Sequence, residues 1–322
     1  MNNPQISVII ISFNTCYLLR DCINTLIKEA GTVSYETIII DNASKDNSAT
    51  MVATEFPNVK LIRNTKNLGF AAANNLGFAQ AQGDYIVLLN SDAFLRPQAL
   101  EKALAYMQAN PKIGIGGAKL VGQDNILQPS ARMFPSLLNH FLVISGLANK
   151  YPQSKFFGRV DRTWTSSEEV ASTDWVPGAF SIIPRKLLEK IGYFDEKFFL
   201  YYEEVDLCKR FKMAGYEVYY WPDVVVVHLG GESSKSLSGL EMSTNGKQIN
   251  LWQLRSTLLY YRKHHGLFIT WLWMQLENTW HLLKVWKNIF THKTNNSRTI
   301  RKLLKQAWHE TQGGKISPPR PW

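Results

Sequence analysis

The sequence predicts a doubly wound α/β fold with a mostly parallel sheet, and two observations carry the prediction. Short runs of apolar, β-branched residues alternate with helical patterns through the first hundred residues. The apolar runs also lack the polar alternation of half-exposed strands, which is typical of parallel strands buried on both faces. Strands and helices that alternate in this way form a sheet covered by helices on both sides.

Four strands and three helices follow in order from the N-terminus. The strands are predicted at 6–13, 35–40, 59–63 and 84–89, and the helices at 17–30, 48–56 and 70–81. Polar clusters follow the strands at 12–14, 41–44, 63–67 and 90–92. Because ligands of such sheets bind outside the carboxyl ends of the strands, these clusters are expected to meet at one edge.

The second half of the chain has weaker patterns. Residues 118–174 lose clear periodicity, so loops or a short strand pair are expected there. Helical spacing returns at 184–191 and 203–214, before a β-branched and aromatic run at 217–227. Two further helices are predicted at 251–264 and 268–290.

This pattern predicts one large domain and a smaller extension. The large domain spans residues 1–240 and divides into halves at 1–117 and 118–240. Residues 241–322 form a basic, tryptophan-rich helical C-terminal extension.

The positive charge of the chain is confined to that extension. The formal net charge is +10, yet residues 1–250 hold equal numbers of acidic and basic side chains. Residues 251–322 hold 12 Lys and Arg against 2 Asp and Glu, and seven of the ten tryptophans. This distribution favours an anionic membrane surface over nucleic acid as the partner, with peripheral contact through residues 251–293. Packing of these helices on the large domain, or a homodimer contact, is the alternative left open.

The cysteines and the apolar segments bear on location. Cys16, Cys22 and Cys208 have no spacing that suits a zinc site or a disulfide framework. The first residues lack the pattern of a signal peptide, so a cytoplasmic location is expected, with the extension on the inner face of the membrane where it binds. Residues 267–283 fall short of the ~20 apolar residues that cross a bilayer.

Asn90-Ser91-Asp92 follows a predicted buried strand and is a candidate metal site. A carboxylate at a strand end is well placed to hold Mg²⁺ or Mn²⁺ against a diphosphate, because these ions keep several waters and take few protein ligands. The structural alternative is that Asp92 caps a helix that begins near Pro97.

Three acids, Glu203, Glu204 and Asp206, stand at a predicted helix start after an aromatic run. The helix dipole favours acids there, which supports a structural role. Neighbouring carboxylates in an apolar wall also acquire raised pKa values, which suits a general base.

Two glycine-containing segments are weaker candidates. His228 ends the β-branched run and precedes glycines that would let a phosphate approach, although a histidine there is more often structural. Asn67 and Gly69 form a glycine turn that opens a helix and could point amides at an anion. The chain lacks a Walker A sequence, a dinucleotide-binding glycine motif and a Gly-x-Ser-x-Gly elbow, which argues against NTPases, dehydrogenases and serine hydrolases.

Taken in order, five segments resemble family 2 glycosyltransferases of the GT-A fold, in particular their rhamnosyltransferase-like branch. The segments are SVIIISFN (7–14), IIIDNASKDNS (38–48), RNTKNLGFAAANNLG (63–77), YIVLLNSDA (85–93) and GYFDEKFFLYYEEVDLCKRFKMAGY (192–216). The resemblance covers residues 6 to about 235 and assigns nucleotide binding to 1–117 and acceptor binding with catalysis to 118–240.

The resemblance implies a role for each candidate residue. Nucleotide contacts are implied for Ser12, Asn14, Asp41, Asn67, Gly69, Ser91 and Asp92. Asp92 takes the place of the metal-binding acid of the family's Asp-x-Asp, and His228 resembles a histidine that completes the metal shell in some relatives. Asn90 departs from the family pattern, since the first acid often stands there. Trp175 and Gly178 lie in a segment that resembles the acceptor or donor-sugar site.

The implied activity is inverting, metal-dependent hexosyl transfer. Glu204 is the expected base with Glu203 and Asp206 as hydrogen-bonding neighbours, and the choice between Glu203 and Glu204 stays open. The implied cofactor is Mg²⁺ or Mn²⁺, and the implied partners are a nucleotide-sugar donor and a saccharide or polyprenyl-diphosphate-linked acceptor. L-rhamnose from dTDP-rhamnose, used in cell-surface polysaccharide synthesis, is the leading expectation.

Two rival functions remain at this stage. One is a non-catalytic nucleotide-sugar or carbohydrate-binding protein on the same fold, which Asn90 favours. The other is a sugar nucleotidyltransferase, which would normally carry a glycine-rich and basic loop after the first strand. Residues 12–21 (SFNTCYLLRD) are not such a loop.

Overall fold

A nine-stranded sheet forms the centre of the protein, whose computed structural model describes residues 3–230, 247–291 and 296–318. The strands are β1 (Ile6–Ser12), β2 (Tyr35–Asp41), β3 (Lys60–Arg63), β4 (Tyr85–Asn90), β5 (Ala93–Leu95), β6 (Ile113–Val121), β7 (Ala171–Thr173), β8 (Phe180–Pro184) and β9 (Glu217–His228). Their order is β3-β2-β1-β4-β8-β6-β9-β5, and β7 also pairs with β9.

The sheet is mixed but mostly parallel, as predicted. β1, β2, β3 and β4 are parallel neighbours, and β6 and β9 continue the same direction. β8 runs antiparallel between β4 and β6, and β5 and β7 run antiparallel to β9. The first four strands therefore bring their carboxyl ends to one edge.

Helices cover both faces of the sheet. They are α1 (Cys16–Glu29), α2 (Ser48–Glu55), α3 (Phe70–Phe78), α4 (Ala99–Ala109), α5 (Leu137–Ile144), α6 (Leu147–Lys150), α7 (Arg185–Ile191), α8 (Glu203–Met213), α9 (Lys247–Thr291) and α10 (Ser297–Glu310). All seven residues of β1 are buried. Val8 and Ile10 join one hydrophobic cluster, whereas Ile9 and Ile11 join the cluster on the opposite face. This explains why β1 is continuously apolar.

The expectation of loops over residues 118–174 is wrong in part. β6 extends to Val121, and α5, α6 and β7 lie within the segment. The sequence pattern does not predict β6 because the strand contains three glycines, a residue that is rare in strands. A Cβ on Gly116 would lie 1.8 Å from the Trp221 indole, so the glycine is required by packing across the sheet face.

The C-terminal helices pack on the large domain. α9 bends at Gly266, whose φ of 79° separates two straight parts that match the predicted pair of helices. Tyr260, Tyr261 and Trp273 are buried in the same cluster as residues of β1 and α8. The predicted boundary at 240–241 lies outside the described residues. Among the described helices, none combines the length and apolarity that crossing a membrane requires.

Candidate active site

The carboxyl ends of β1, β2 and β4 bring polar side chains to one edge. Ser12 pairs with Asp41 in the β1–β2 register, and Ile11 pairs with Asn90 in the β1–β4 register. Asp41 is buried, and its Oδ2 accepts a hydrogen bond from the Ser44 amide at 3.2 Å. Its Oδ1 is also buried but has no hydrogen-bond partner, and burial raises the pKa of this carboxyl. An unpartnered buried acceptor at a strand end fits a ligand N–H.

The loop after β1 connects this edge to the loop after β4. The Ser12 and Thr15 hydroxyls lie 3.2 Å apart, and the Thr15 hydroxyl donates to Ser91 Oγ at 3.1 Å. Asn14, at φ 54°, accepts a hydrogen bond from the Lys45 amide at 2.7 Å. The side chain of Asn14 therefore fixes the loop after β2. Sequence reasoning missed Thr15, since a threonine before a helix is ordinarily read as a cap.

The side chain of Asn42 stabilises the turn at 67–69 through hydrogen bonds. Asn67 Oδ1 accepts from Asn42 Nδ2 and from the Gly69 amide, both at 2.8 Å. Asn42 Oδ1 accepts in turn from the Leu68 amide at 3.0 Å. Asn67 thus shapes the turn, and Asn42, which directly follows Asp41 in the sequence, is a site residue that the sequence analysis missed.

The same turn lies against the chain that leads into α8. A Cβ on Gly69, whose φ is 82°, would approach the Phe199 carbonyl oxygen to 2.4 Å. The Phe70 amide donates to that oxygen at 2.8 Å. Only glycine fits this close approach at positive φ. The candidate nucleotide turn is therefore in direct contact with the segment that leads into the candidate catalytic helix.

Asp92 and His228 lie side by side although 136 positions separate them. Ala93 pairs with His228 in the β5–β9 register, and His228 Nε2 lies 3.5 Å from Asp92 Oδ1. Asn90 Nδ2 is also 3.5 Å from that nitrogen. The two predicted metal ligands thus lie together at the sheet edge. Asp92 does not cap a helix, because strand β5 follows it directly.

Gln128 orients the imidazole of His228. Its Nε2 donates to the His228 carbonyl at 2.7 Å, which leaves its Oε1 3.0 Å from His228 Nδ1. Since an amide oxygen only accepts, Nδ1 carries the proton in the neutral ring and Nε2 keeps its lone pair. Nothing in the sequence signals Gln128, because it lies 100 positions from His228.

This donor set fits a hard divalent cation. Asp92 offers a carboxylate oxygen and His228 an imidazole lone pair, both ordinary ligands of Mn²⁺ and Mg²⁺. Within the described ranges, no group of three or more His, Cys, Asp or Glu side chains forms a closed metal cage. Two protein ligands leave coordination positions for phosphate oxygens and water.

Glu203 and Glu204 are the first residues of α8 and follow directly after two residues with strained backbone conformations. Tyr201 and Tyr202 have φ values of 69° and 72°, a conformation that costs about 1–3 kcal/mol per residue and persists only where packing enforces it. The Tyr202 ring packs 5.3 Å from that of Tyr260 in α9. The C-terminal extension therefore helps to hold the start of α8 in place.

The two glutamates differ in environment. Glu203 is buried, and burial together with the charge of Glu204 raises its pKa well above the ordinary value. Burial also raises the pKa of Glu204, but backbone amides at the helix start and the Arg132 guanidinium oppose the rise. Each has one buried carboxylate oxygen without a hydrogen-bond partner. Glu204 is the member of the pair that more readily carries a negative charge.

Both carboxylate oxygens of Asp206 are engaged by basic side chains of α8 and α9, which corrects the expectation that Asp206 is a hydrogen-bonding neighbour of Glu204. Its Oδ1 lies 2.7 Å from His264 Nε2 and 2.8 Å from Lys263 Nζ, and its Oδ2 accepts from Arg210 at 2.9 Å. These partners lower the pKa of Asp206 to about 2 although burial opposes the shift. Asp206 is thus an ionised anchor between α8 and α9.

Gly178 connects the two parts of the site. The Asn90 amide donates to the Ala179 carbonyl at 3.1 Å, next to the end of β4. A Cβ on the adjacent Gly178 would lie 3.9 Å from the Cβ of Glu204. Gly178 and Ala179 therefore bring the end of β4, which carries Asn90, close to the start of α8, which carries Glu204. We call the region between these two ends the candidate cleft.

Trp175 supports this cleft rather than filling it. Only 9% of the residue is exposed, and its Nε1 donates to the Met133 carbonyl at 3.0 Å. The Arg132 guanidinium lies 4.8 Å from the indole centroid and is held by Asp161 at 2.6 Å. Arg132, within electrostatic reach of Glu204, is a further residue that sequence reasoning missed.

Comparison with known proteins shows the family of this chain. The sequence model of the family described as Glycosyl transferase family 2 matches residues 7–208. The N-acetylglucosaminyl-diphospho-decaprenol L-rhamnosyltransferase of Mycobacterium tuberculosis is 28% identical over 204 residues, 59% of this chain and 65% of its own length. The dTDP-rhamnosyl transferase RfbF of Shigella flexneri is 22% identical over 266 residues, 82% of each chain.

A solved structure shares the fold. The mannosyltransferase PcManGT from Pyrobaculum calidifontis, solved in complex with GDP-Man and Mn²⁺, is similar with a TM-score of 0.54 and 17% identity. The similarity covers 97% of this chain and 76% of the mannosyltransferase. The predicted GT-A fold is thereby confirmed.

Proposed function

Since this chain belongs to glycosyl transferase family 2, in its rhamnosyltransferase-like branch, we propose that it catalyses inverting, metal-dependent sugar transfer from a nucleotide-diphosphate donor. The observation that supports the proposal is the proximity of the end of β4 to the start of α8, with Gly178 and Ala179 between them, and we infer that these ends line a common cleft. One side of this cleft offers metal ligands and the other offers a carboxylate base.

The donor would bind along the sheet edge. Asp41 Oδ1, a buried acceptor without a partner, suits an N–H of a pyrimidine base, and Ser12 and Asn14 would lie near the nucleotide. The turn of Asn67 and Gly69 would close over it. Asp92 and His228 would hold the cation against the diphosphate, beside Ser91, and the cation would stabilise the negative charge that develops on the leaving group.

Glu204 would act as the base on the acceptor hydroxyl. Its carboxylate removes the proton while the oxygen attacks the anomeric carbon on the face opposite the leaving diphosphate, and a single displacement inverts the configuration. Burial raises the pKa of Glu204, and the charge of Arg132 opposes that rise and so favours the ionised base. Glu203 would be the neutral neighbour, and Asp206 would position α8 through His264.

The leading substrate pair is dTDP-rhamnose with a saccharide or polyprenyl-diphosphate-linked acceptor, in cell-surface polysaccharide synthesis. Two relatives support this choice by name, one as a dTDP-rhamnosyl transferase and one as a transferase to N-acetylglucosaminyl-diphospho-decaprenol. Gly178 would border the reacting sugar.

A thermal-shift screen of nucleotide sugars with and without Mn²⁺ tests the donor, because selective binding stabilises the native state. We expect dTDP-rhamnose with Mn²⁺ to raise the melting temperature more than UDP-sugars or GDP-mannose do. A proton NMR assay of the transferred anomer then tests inversion. Donor binding without hydrolysis or transfer would support the non-catalytic alternative, and no response to any nucleotide sugar would contradict the proposal.

Peripheral membrane contact is the proposed role of the outer face of α9. Phe268, Trp271 and Trp286 are 68%, 44% and 61% exposed, and Phe268 and Trp271 stack on each other. Exposed aromatic residues on a basic helix suit the interface of an anionic leaflet.

Vesicle flotation tests this contact with point variants, because truncation at residue 265 would remove the buried Trp273. The triple variant Phe268→Ser, Trp271→Ser, Trp286→Ser should float less with phosphatidylglycerol vesicles than the parent protein does. Unchanged flotation would contradict the contact. If the parent is a dimer by light scattering and the variant a monomer, the face is a homodimer interface instead.

A further inference from the structure

A small basic pocket lies beside the ion pair of Lys263 and Asp206. It has a volume of about 270 Å³, just below the ~300–1,000 Å³ of typical ligand sites, so it suits a small ligand. Three segments form it: the turn before α8, the middle of α9 and the turn after α10. The basic pocket is lined by Lys197, Phe198, Arg262, Lys263, Gly314 and Lys315, with Asp195 and Leu259.

The positive charge of the basic pocket is only partly neutralised. Lys263 Nζ lies 2.8 Å from Asp195 and 2.8 Å from Asp206, so its charge is shared by two carboxylates. Lys197, Arg262 and Lys315 take part in none of the ion pairs found within the described ranges. Three cations without an ion-pair partner among the described residues therefore line the basic pocket, and its one acidic lining residue, Asp195, is already paired with Lys263.

Arg262 also carries an unmet hydrogen-bonding requirement. Its Nη1 is buried and has no hydrogen-bond partner in the described part of the chain. A guanidinium is always charged, and a buried donor without a partner costs about 1–3 kcal/mol, more when it is charged. Because Arg262 lines the basic pocket, an anion bound there would give its guanidinium an acceptor.

The turn after α10 packs closely against α9 next to Arg262. Gly314, at φ 81°, would place a Cβ 2.2 Å from the Leu258 carbonyl oxygen and 2.8 Å from Arg262 Cβ. The Gly314 amide is fixed by the Thr311 hydroxyl at 3.0 Å. A glycine at positive φ thus lets the C-terminal turn seat directly on α9, so the wall of the basic pocket is part of the folded structure.

We propose that the basic pocket binds a phosphate group, at a site separate from the nucleotide cleft. A guanidinium with two further lysines matches the several oxygens and near-double charge of a phosphate or diphosphate better than a single carboxylate does. None of its lining residues belongs to the donor or metal site. Lys263 links it to Asp206 and thereby to α8.

Isothermal titration with sodium pyrophosphate tests the basic pocket, with sodium chloride at matched ionic strength as the blank. EDTA in the buffer and the Asp92→Asn background prevent binding through a cation in the cleft, so the result does not depend on the proposed function. We expect saturable binding that weakens about tenfold in Arg262→Gln, as a lost charge-assisted hydrogen bond implies. Lys186→Gln with Lys190→Gln, two exposed lysines outside the basic pocket, is the matched control and should bind normally.

A second variant keeps the test decisive if Arg262→Gln fails to fold. Lys197 and Lys315 are exposed, so Lys197→Gln with Lys315→Gln should fold and still bind pyrophosphate several-fold more weakly. Flotation with phosphatidylglycerol against phosphatidylcholine vesicles then identifies the source: a defect of these variants there indicates a lipid headgroup, and a defect with pyrophosphate alone indicates a soluble phosphate. Absence of saturable binding, or equal affinity in the parent and both variants, would overturn the proposal.

Discussion

Gly178 lies directly against Glu204, close enough that a Cβ on the glycine would be 3.9 Å from the Cβ of the glutamate. The same added atom would be 3.7 Å from the Phe70 ring, which begins the helix after the candidate nucleotide turn. These are ordinary van der Waals distances. A Cβ at Gly178 would therefore fit but would take up space in the cleft. At Gly69 a Cβ would not fit, because of the positive φ and the nearby Phe199 carbonyl oxygen.

This contrast predicts that one alanine substitution lowers activity and the other lowers stability. Gly178→Ala should leave the melting temperature within about 1 °C of the parent, since surface changes without strain stay within ±0.5 kcal/mol, yet lower kcat/KM by narrowing the cleft. Gly69→Ala should destabilise the fold by about 1–3 kcal/mol, because its Cβ would meet the Phe199 carbonyl at positive φ. Denaturant titration and initial rates on both variants check this. Equal destabilisation by both would contradict the assignment.

Glu204→Gln should lower turnover by about 10²–10⁴-fold while the affinity for donor and Mn²⁺ survives, because only the proton acceptor is lost. Glu203→Gln should be much less harmful, since Glu203 is expected to be already neutral. Single-turnover rates and donor titration of the two isosteric variants make the comparison. A larger loss in Glu203→Gln would transfer the role of base to Glu203.

The raised pKa of Glu203 predicts that folding stability falls as the pH rises. Above the ordinary pKa of an unfolded glutamate the folded state holds a proton that the unfolded chain has released, so the folded state is progressively disfavoured up to the folded pKa. Glu203→Gln should consequently be more stable than the parent at pH 7.5, and the gain should vanish below about pH 4. Urea unfolding at both pH values measures it. A variant less stable at pH 7.5 would contradict an uncharged Glu203.

Asp206 should behave in the opposite way. Its pKa of about 2 lies below the ordinary 3.8, so its stabilisation is present above the ordinary pKa and is lost as the pH falls towards 2. Asp206→Asn should cost at least about 2 kcal/mol at pH 7, since it also leaves His264, Lys263 and Arg210 without their shared anion. Guanidinium unfolding of the variant at neutral and acidic pH checks the sign. An unchanged free energy of unfolding at pH 7 would show that the cluster contributes nothing.

Gln128→Leu should weaken Mn²⁺ binding by about 10–100-fold, although Gln128 is not a ligand, because it would release the His228 ring from its orientation. Gln123→Leu, in the same loop, is the matched control. Nucleotide-dependent Mn²⁺ titration by electron paramagnetic resonance measures the change. The same affinity in both variants would mean that His228 binds no metal or is oriented by other contacts.

Parts of the fold and site follow from local patterns. β1 and β4 could be predicted because both faces of each strand are buried, which forces continuous apolar runs at the level of the sequence. Asp41, at the end of β2, and Asp92, just after the end of β4, could be placed at one edge because parallel strands share their carboxyl ends. β6 and β8 were not predicted. In β6 the glycines are required by packing, since a Cβ on Gly116 would meet the Trp221 indole and a Cβ on Gly117 would meet Val176.

The sequence by itself determined the parallel half of the sheet, the edge where Ser12, Asp41 and Asp92 meet, and the division of residues 251–290 into two helices, because each depends on the order of neighbouring residues. Only the tertiary structure decided how that edge is completed. Gln128 orients His228 from 100 positions away, and His264 binds the Asp206 carboxylate from 58 positions away. Such partners are chosen by the packing of whole helices and strands, whose free energy depends on contacts that no local pattern records.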